Sequence, residues 1–373
     1  MNDLTEQFRE RVLAAAVDKL PLRIRGGGTK DFYGNPPSGE LLDTTGHAGI
    51  VAYEPTELVV TVRSGTPLAE LEAALAEQGQ MLAFEPPHYS HPSPSGRGDG
   101  GEGATMAGDG GHGATAGGVV AAGLSGPRRA TAGAVRDFVL GVKLLDGKGE
   151  ILNFGGQVMK NVAGYDVSRL MTGALGTLGL LLEVSLKVLP KPHAEATLRL
   201  ELPQDRAIEA MNRWGGQPLP VSATCWSDGQ LTVRLSGARA AVAAAREKMG
   251  GEAVADAEVF WRAVREQQDG FFFGEAALWR LSLPSKMAPL ALPGEPLIEW
   301  GGALRWLAFG GPAAVVREAA ARAGGHATLF RGEDKSAGAF QPLPEPLMQI
   351  HRSLKRSFDP QGLFNPGRMY SDF

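Results

Sequence analysis

Residues 23–30 read RIRGGGTK, an extended segment that runs into three consecutive glycines followed by a hydroxyl and an ammonium. Gly26, Gly27 and Gly28 can turn successive N–H groups into a nest for an anion. Arg25 leads into that turn, Thr29 adds a hydroxyl donor and Lys30 a positive charge. An ordinary strand-to-turn transition could carry the same residues. What surrounds the loop has to decide between the two.

The chain has 373 residues, so two domains are the natural expectation. A hydrophobic fraction of 43% is ample for packed cores, and a net charge of -4 gives no electrostatic footprint for nucleic acid. The single cysteine, Cys225, rules out a disulfide within the chain and a cysteine-ligated cluster, and suits a reducing, cytoplasmic setting. The first twenty residues have no signal-peptide pattern; Leu4, Phe8, Val12, Ala15 and Leu20 suggest one buried helical stripe. The most apolar run, Leu178 to Leu182, is too short to span a bilayer.

After the loop, GIVAYEP and ELVVTVRSG read as short strands. TPLAELEAALAEQG reads as a helix with Thr66 as N-cap, Pro67 in its first turn and Gly79 at its end. A hairpin is expected around Asp146-Gly147, and LLEVSLKVLP alternates as a half-buried strand does. Pro190 and Pro192 mark a boundary, beyond which glycine thins and all six tryptophans fall, implying an aromatic core of its own for the second part. The expected class is α+β throughout, with domains at 1–192 and 193–373.

Residues 96–118, GRGDGGEGATMAGDGGHGATAGG, contain G-x-G-x-x-G twice, at Gly98, Gly100, Gly103 and at Gly108, Gly110, Gly113. That fingerprint needs a strand before it and a helix after it, so that the helix N-terminus can hold a pyrophosphate. Prolines 86, 87, 92 and 94 precede it, and no helical pattern follows Gly103. Residues 96–113 therefore read as a flexible, glycine-rich insertion. The sequence then turns into small apolar residues, where Gly117 and Gly118 could admit a phosphate.

The loop at 23–30, VVTVRSGTPLAELEAAL, TAGGVVAAGLSGPRRATAGAVRDFVLGVKLLDGKGEIL, KNVAGYDVSRLMTGALGTLGLLLEVSLKVLP and the closing FDPQGLFNPGRMY occur in that order. Together they resemble the PCMH-type FAD-binding domain of the vanillyl-alcohol oxidase family, and in particular the FAD-binding subunits of glycolate oxidase-type complexes. The resemblance implies two α+β subdomains holding FAD, then a smaller α+β domain whose tail, 351–370, returns to the first. It implies glycolate, a 2-hydroxy acid, as substrate. It also implies a larger homologous flavin subunit and an iron–sulfur subunit as partners, and the cytoplasm or the inner face of the membrane as location, reached through the complex.

Residue by residue, the resemblance assigns FAD contacts to Arg25, Gly26, Gly27, Gly28, Thr29 and Lys30, and to Gly117 and Gly118 with Ala122, Gly123, Ser125 and Gly126. It further assigns Arg136 and Asp137; Gly164, Tyr165 and Asp166; and Gly176, Thr177 and Gly179. Arg368 and Tyr370 fall in the returning tail. Two departures qualify it. The first loop has no histidine or cysteine for a covalent flavin bond, which implies dissociable FAD. The H-x-G-D-G-N metal motif of close relatives is also missing; His193, His326 and His351 stand alone, so no metal is expected. Tyr165, His88 and His351 are candidate bases without supporting context, and the catalytic residue stays open.

Overall fold

The computed structural model describes residues 3–89, 113–156, 165–274 and 276–373. The glycine-rich stretch from 96 to 112 and Gly164 lie outside the described residues.

Helix α1 (Thr5–Asp18) leads into β1 (Leu22–Arg25), which pairs in parallel with β2 (Glu40–Asp43). Phe8, Val12 and Ala15 bury the expected stripe of α1. Leu20 does not join it, because Lys19 turns left-handed (φ 53°) and ends the helix, leaving Leu20 exposed. Strands β3 (Ile50–Glu54) and β4 (Val59–Arg63) start a five-stranded sheet. Helix α2 (Leu68–Glu77) and the short β5 (Gln80–Met81) follow. Pro67, not Thr66, occupies the N-cap of α2. The Thr66 hydroxyl is committed to Gly49 and to Arg63 O (2.7 Å), so it braces the preceding turn.

Helix α3 (Ala116–Ala122) and the short α4 (Arg129–Ala132) and α5 (Val135–Phe138) precede β6 (Val139–Leu145) and β7 (Ile151–Gly155), the expected hairpin. A turn of helix, α6 (Val167–Leu170), comes before β8 (Leu180–Lys187). The sheet order is β3-β4-β8-β6-β7. Strand β8 is more than half-buried because both of its faces are covered: Leu180 and Leu182 pack with Phe8 and Leu22, Leu181 joins the core on the other face, and Ser185 shares a hydrogen bond with Thr61 (2.8 Å). Strand β9 (Leu189–Pro190) closes on β5.

An antiparallel eight-stranded sheet follows, built from β10 (Ala194–Glu201), β11 (Val221–Ser227), β12 (Gln230–Gly237), β13 (Glu252–Ala253), β14 (Leu278–Ser282), β15 (Leu297–Glu299), β16 (Leu304–Ala308) and β17 (His326–Arg331). Its order is β13-β10-β12-β11-β15-β16-β14-β17. Helices α7 (Gln204–Gly215), α8 (Arg239–Met249) and α10 (Ala313–Arg322) pack on one face, around Trp214, Trp226 and Trp279. The other face is covered partly by α9 (Ala257–Glu266) and partly by the first 192 residues. Trp261, Trp300 and Trp306 therefore share one core cluster with Tyr33, Leu124 and Leu175. The tryptophan-rich core is not separate from the N-terminal part, because the sheet uses this face to cover it.

Helix α11 (Glu345–Phe358) returns the chain to the start. Leu363 and Phe364 pack with Leu22 and Phe8, and Phe364 bridges to Leu22 beside β1.

Candidate functional site

The loop at 26–30 leaves the C-terminal end of β1 and forms one wall of a cleft. Arg23 and Arg25 both donate to Asp31 Oδ2 (2.6 and 2.9 Å), which pins the loop across its base. Gly27, Gly28, Thr29 and Lys30 donate no backbone hydrogen bond to another described residue, although they line the cleft. Gly28 has φ +74°, where a side chain would be strained, and a Cβ there would meet the Arg25 guanidinium. A Cβ on Gly26 would collide with the Thr115 hydroxyl, the N-cap of α3.

The second glycine loop stands opposite. Gly118 lines the same cleft and its amide donates to Thr115 Oγ1 (3.2 Å). Gly117 has a different task. Its amide donates to Ser64 O (2.8 Å), and a Cβ would lie 2.5 Å from Ser64 Cβ, so glycine here lets α3 touch the end of β4. The Ser64 hydroxyl is buried in the adjoining part of the cleft without a partner among the described residues. Orphaned donors, glycines that a methyl group would block, and cationic Lys30 together fit a diphosphate. Burial holds the Lys30 ammonium down to about 8, opposed by Glu266, and an anion beside it would relieve that cost.

The C-terminal tail completes the wall. Asn365 accepts the Ile24 amide (2.8 Å) and donates to Leu175 O (2.6 Å), while Gly176, at φ +70°, leaves room for its amide group. Arg368 also lines the cleft; it donates to Asn35 O and to Asp31 O (2.9 Å), and burial lowers its guanidinium to about 10. Tyr370 lies apart, among Phe340, His351 and Phe373.

Of the residues singled out in the sequence, Arg25 to Lys30, Gly117, Gly118, Ala122, Gly176 and Gly179 are brought to this cleft. Others do local structural work. Gly123 is the left-handed C-cap of α3, the Ser125 hydroxyl accepts the Val135 amide, and Gly126 packs against Glu85 O. Asp137 accepts the Ala134 amide (2.9 Å) on an exposed turn that also carries Arg136. Thr177 is buried and donates to Ala174 O (2.7 Å). Tyr165 is 94% exposed, and Asp166 caps α6 by accepting the Arg169 amide. Of the other candidate bases, His88 is 2.9 Å from Glu72 Oε2, and His351 packs on Tyr370. Ser64, Thr115 and Asn365 were not singled out; the serine and threonine flank strand and helix ends, and a short polar side chain at an N-cap was the one available signal.

A family model for an FAD binding domain matches residues 4–109. The chain is 49% identical to glycolate oxidase subunit GlcE of Escherichia coli over 99% of its length and 98% of the relative's. The chain belongs to the GlcE family. It is an FAD-dependent oxidoreductase, and its cofactor is FAD. Glycolate oxidase subunit GlcD of Bacillus subtilis is 29% identical over 52% of this chain, a match spanning 37% of that protein. A D-lactate dehydrogenase of Anaerostipes hadrus is 29% identical over a similar 52%. A solved structure of alkyldihydroxyacetonephosphate synthase, 14% identical, covers 97% of this chain and 74% of its own with a TM-score of 0.61, which shows the shared fold. No helix among the described residues is long and apolar enough to cross a membrane.

Proposed function

We propose that this chain is the FAD-bearing subunit of a complex that oxidises glycolate to glyoxylate. The observation that carries this reading is the end-to-end similarity to glycolate oxidase subunit GlcE. The cleft supports it: residues 26–30 would hold the FAD diphosphate through backbone donors and Lys30, with Gly118, Ser64 and Arg368 around it. FAD, when bound, accepts the two electrons lost as the α-carbon of a 2-hydroxy acid is oxidised. With no histidine or cysteine in residues 25–30, the cofactor is held without a covalent bond.

Its partners are a larger flavin subunit of the GlcD kind and an iron–sulfur subunit that passes electrons on, placing the assembly in the cytoplasm or at the inner face of the membrane. The sequence has no H-x-G-D-G-N motif, so turnover of glycolate falls mainly to the larger subunit. The division into an FAD domain, 1–192, and a second domain, 193–373, belongs to the same reading. Anaerobic addition of glycolate tests it. Flavin on this chain should bleach promptly when the partners are present and slowly or not at all without them; prompt bleaching of the isolated chain would assign turnover here instead. A colourless protein that still restores activity to its partners would make it an assembly subunit.

A further inference from the structure

The face of the eight-stranded sheet that covers the N-terminal part carries polar side chains within its aromatic core. Arg234, Glu299, Arg280 and Thr328 stand on it, one each from β12, β15, β14 and β17. Phe330 on the same face packs against Phe32, Tyr33 and Tyr89, so these strands lie directly over the loops that follow β1 and β5. At the centre of this junction, two guanidiniums converge on one indole. Arg129, from α4, lies 4.4 Å from the centroid of the Trp300 ring, and Arg280 lies 5.1 Å from it. The ring is fixed: its Nε1 donates to Gly126 O (3.1 Å), and its backbone is held at a strained φ of +54° ahead of Gly301.

Neither guanidinium has an ion-pair partner or a side-chain hydrogen bond among the described residues. Some arginines at this junction are neutralised, whereas Arg199 and Arg331 also stack on aromatic rings, Phe260 and Phe32, without an ion pair among the described residues. Arg234 bonds Glu85 (2.8 Å), and Arg128, next to Arg129 in sequence, bonds Glu85 (2.9 Å) and Glu195. The buried carboxylate that precedes Trp300 accepts from Trp306 Nε1 through Glu299 Oε1 (2.8 Å); burial raises its pKa to about 7, against which the Trp306 bond and the charge of Arg280 act. Burial, and after it the charge of Arg280, lowers the Arg129 pKa, while the Asp137 carboxylate opposes the shift. Two planar donor forks beside an aromatic wall are suited to a small carboxylate.

We propose that Arg129 and Arg280 form a carboxylate-binding subsite for a small 2-hydroxy or 2-keto acid, with Trp300 as its apolar wall. The ligand class rests on the reading above. The subsite goes beyond it, because it gives this chain its own means of recognising the acid. It uses residues distinct from those lining the diphosphate cleft, so loss of acid binding and loss of FAD binding are separable.

Titration calorimetry with oxalate, which cannot be oxidised at its carbons as glycolate is, tests the proposal on the FAD-loaded full chain. Oxalate should bind, and Arg129→Met and Arg280→Met should each weaken it at least tenfold while FAD affinity changes less than twofold. Arg280→Lys should recover part of the loss. Unchanged oxalate affinity in both Met variants, or no oxalate binding by the wild-type chain that holds FAD, overturns the subsite. Phosphate binding as tight as oxalate, lost in the same variants, would make the pair a general anion site and defeat the carboxylate assignment. Loss of FAD instead of oxalate would give the pair to the cofactor. A wild-type chain that takes up no FAD would sink the functional reading instead. Should the variants not fold, phenylglyoxal labelling of the wild-type chain decides: oxalate should protect Arg129 and Arg280 from modification, and equal labelling with and without it overturns the proposal.

Discussion

A methyl group at residue 26 is enough to test the cleft. On Gly26 it would meet the Thr115 hydroxyl that caps α3, forcing the two glycine loops apart. Gly26→Ala should therefore weaken FAD about tenfold, roughly 1.4 kcal/mol, as read by titrating apoprotein with flavin. Lys30 gives a second, pH-dependent handle. Burial holds its pKa in the apoprotein to about 8, so above that pH it is increasingly neutral. A diphosphate raises the pKa again and draws a proton back. FAD affinity should be fully developed below pH 8 and fall as the pH rises through 8 towards 10, by at most about tenfold per unit for one proton. Calorimetry in buffers of different ionisation enthalpy should show proton uptake on binding near pH 8.5, and Lys30→Met should abolish it. Residues 26–30 were legible in the sequence because their donors are local. Ser64 and Asn365 were not, since Asn365 earns its place by reaching Ile24 across 341 positions.

Helix α11 ties the cleft to the end of the chain through a buried ion pair. Lys355 Nζ donates to Thr177 O (2.7 Å), Phe364 O (2.8 Å) and Asp359 Oδ2 (2.7 Å), which satisfies all three of its protons. Asp359 in turn accepts the Leu363 and Phe364 amides (2.9 and 2.8 Å) and so shapes the turn that delivers Asn365. Lys355→Met leaves a buried carboxylate without its cation and should cost about 3–5 kcal/mol in urea unfolding. Adding Asp359→Leu should recover less than the ion-pair share, because the two amides then lose their acceptor. Such closure explains which elements a sequence reveals. The hairpin of β6 and β7 is local and was foreseen. The burial of β8 was underestimated, because its alternation does not show that both faces are covered, one by Phe8, Leu22 and Phe364 and the other by the core that includes Leu68 and Val120. Thr66 likewise has an N-cap's chemistry but spends it on Gly49, 17 residues away.

At the scale of the molecule, the two parts of the chain are joined by charge as well as by aromatic packing. Glu85, on the loop after β5, accepts the Arg128 amide and Nε (both 2.9 Å) and Arg234 from β12 (2.8 Å). Arg128 goes on to Glu195 and to Ser236 (3.0 Å), so one carboxylate orders a network that crosses from the glycine-loop side to the far sheet. Both arginine side chains are less than a tenth exposed, which makes the loss of Glu85 more serious than its distance from the cleft suggests. Glu85→Ala would leave buried Arg234 without its ion pair and Arg128 with Glu195 alone, and removing one partner of a buried pair costs about 3–5 kcal/mol. The sheet face that holds Arg280 and Trp300 is positioned through this junction, with Trp300 bonded to Gly126 and Gly126 packed on Glu85. Glu85→Ala should therefore lower the urea midpoint and also weaken oxalate, while Glu85→Gln, which can still accept hydrogen bonds, should keep part of both. If stability falls but oxalate affinity at native conditions does not, the network holds the parts together without setting the geometry between them.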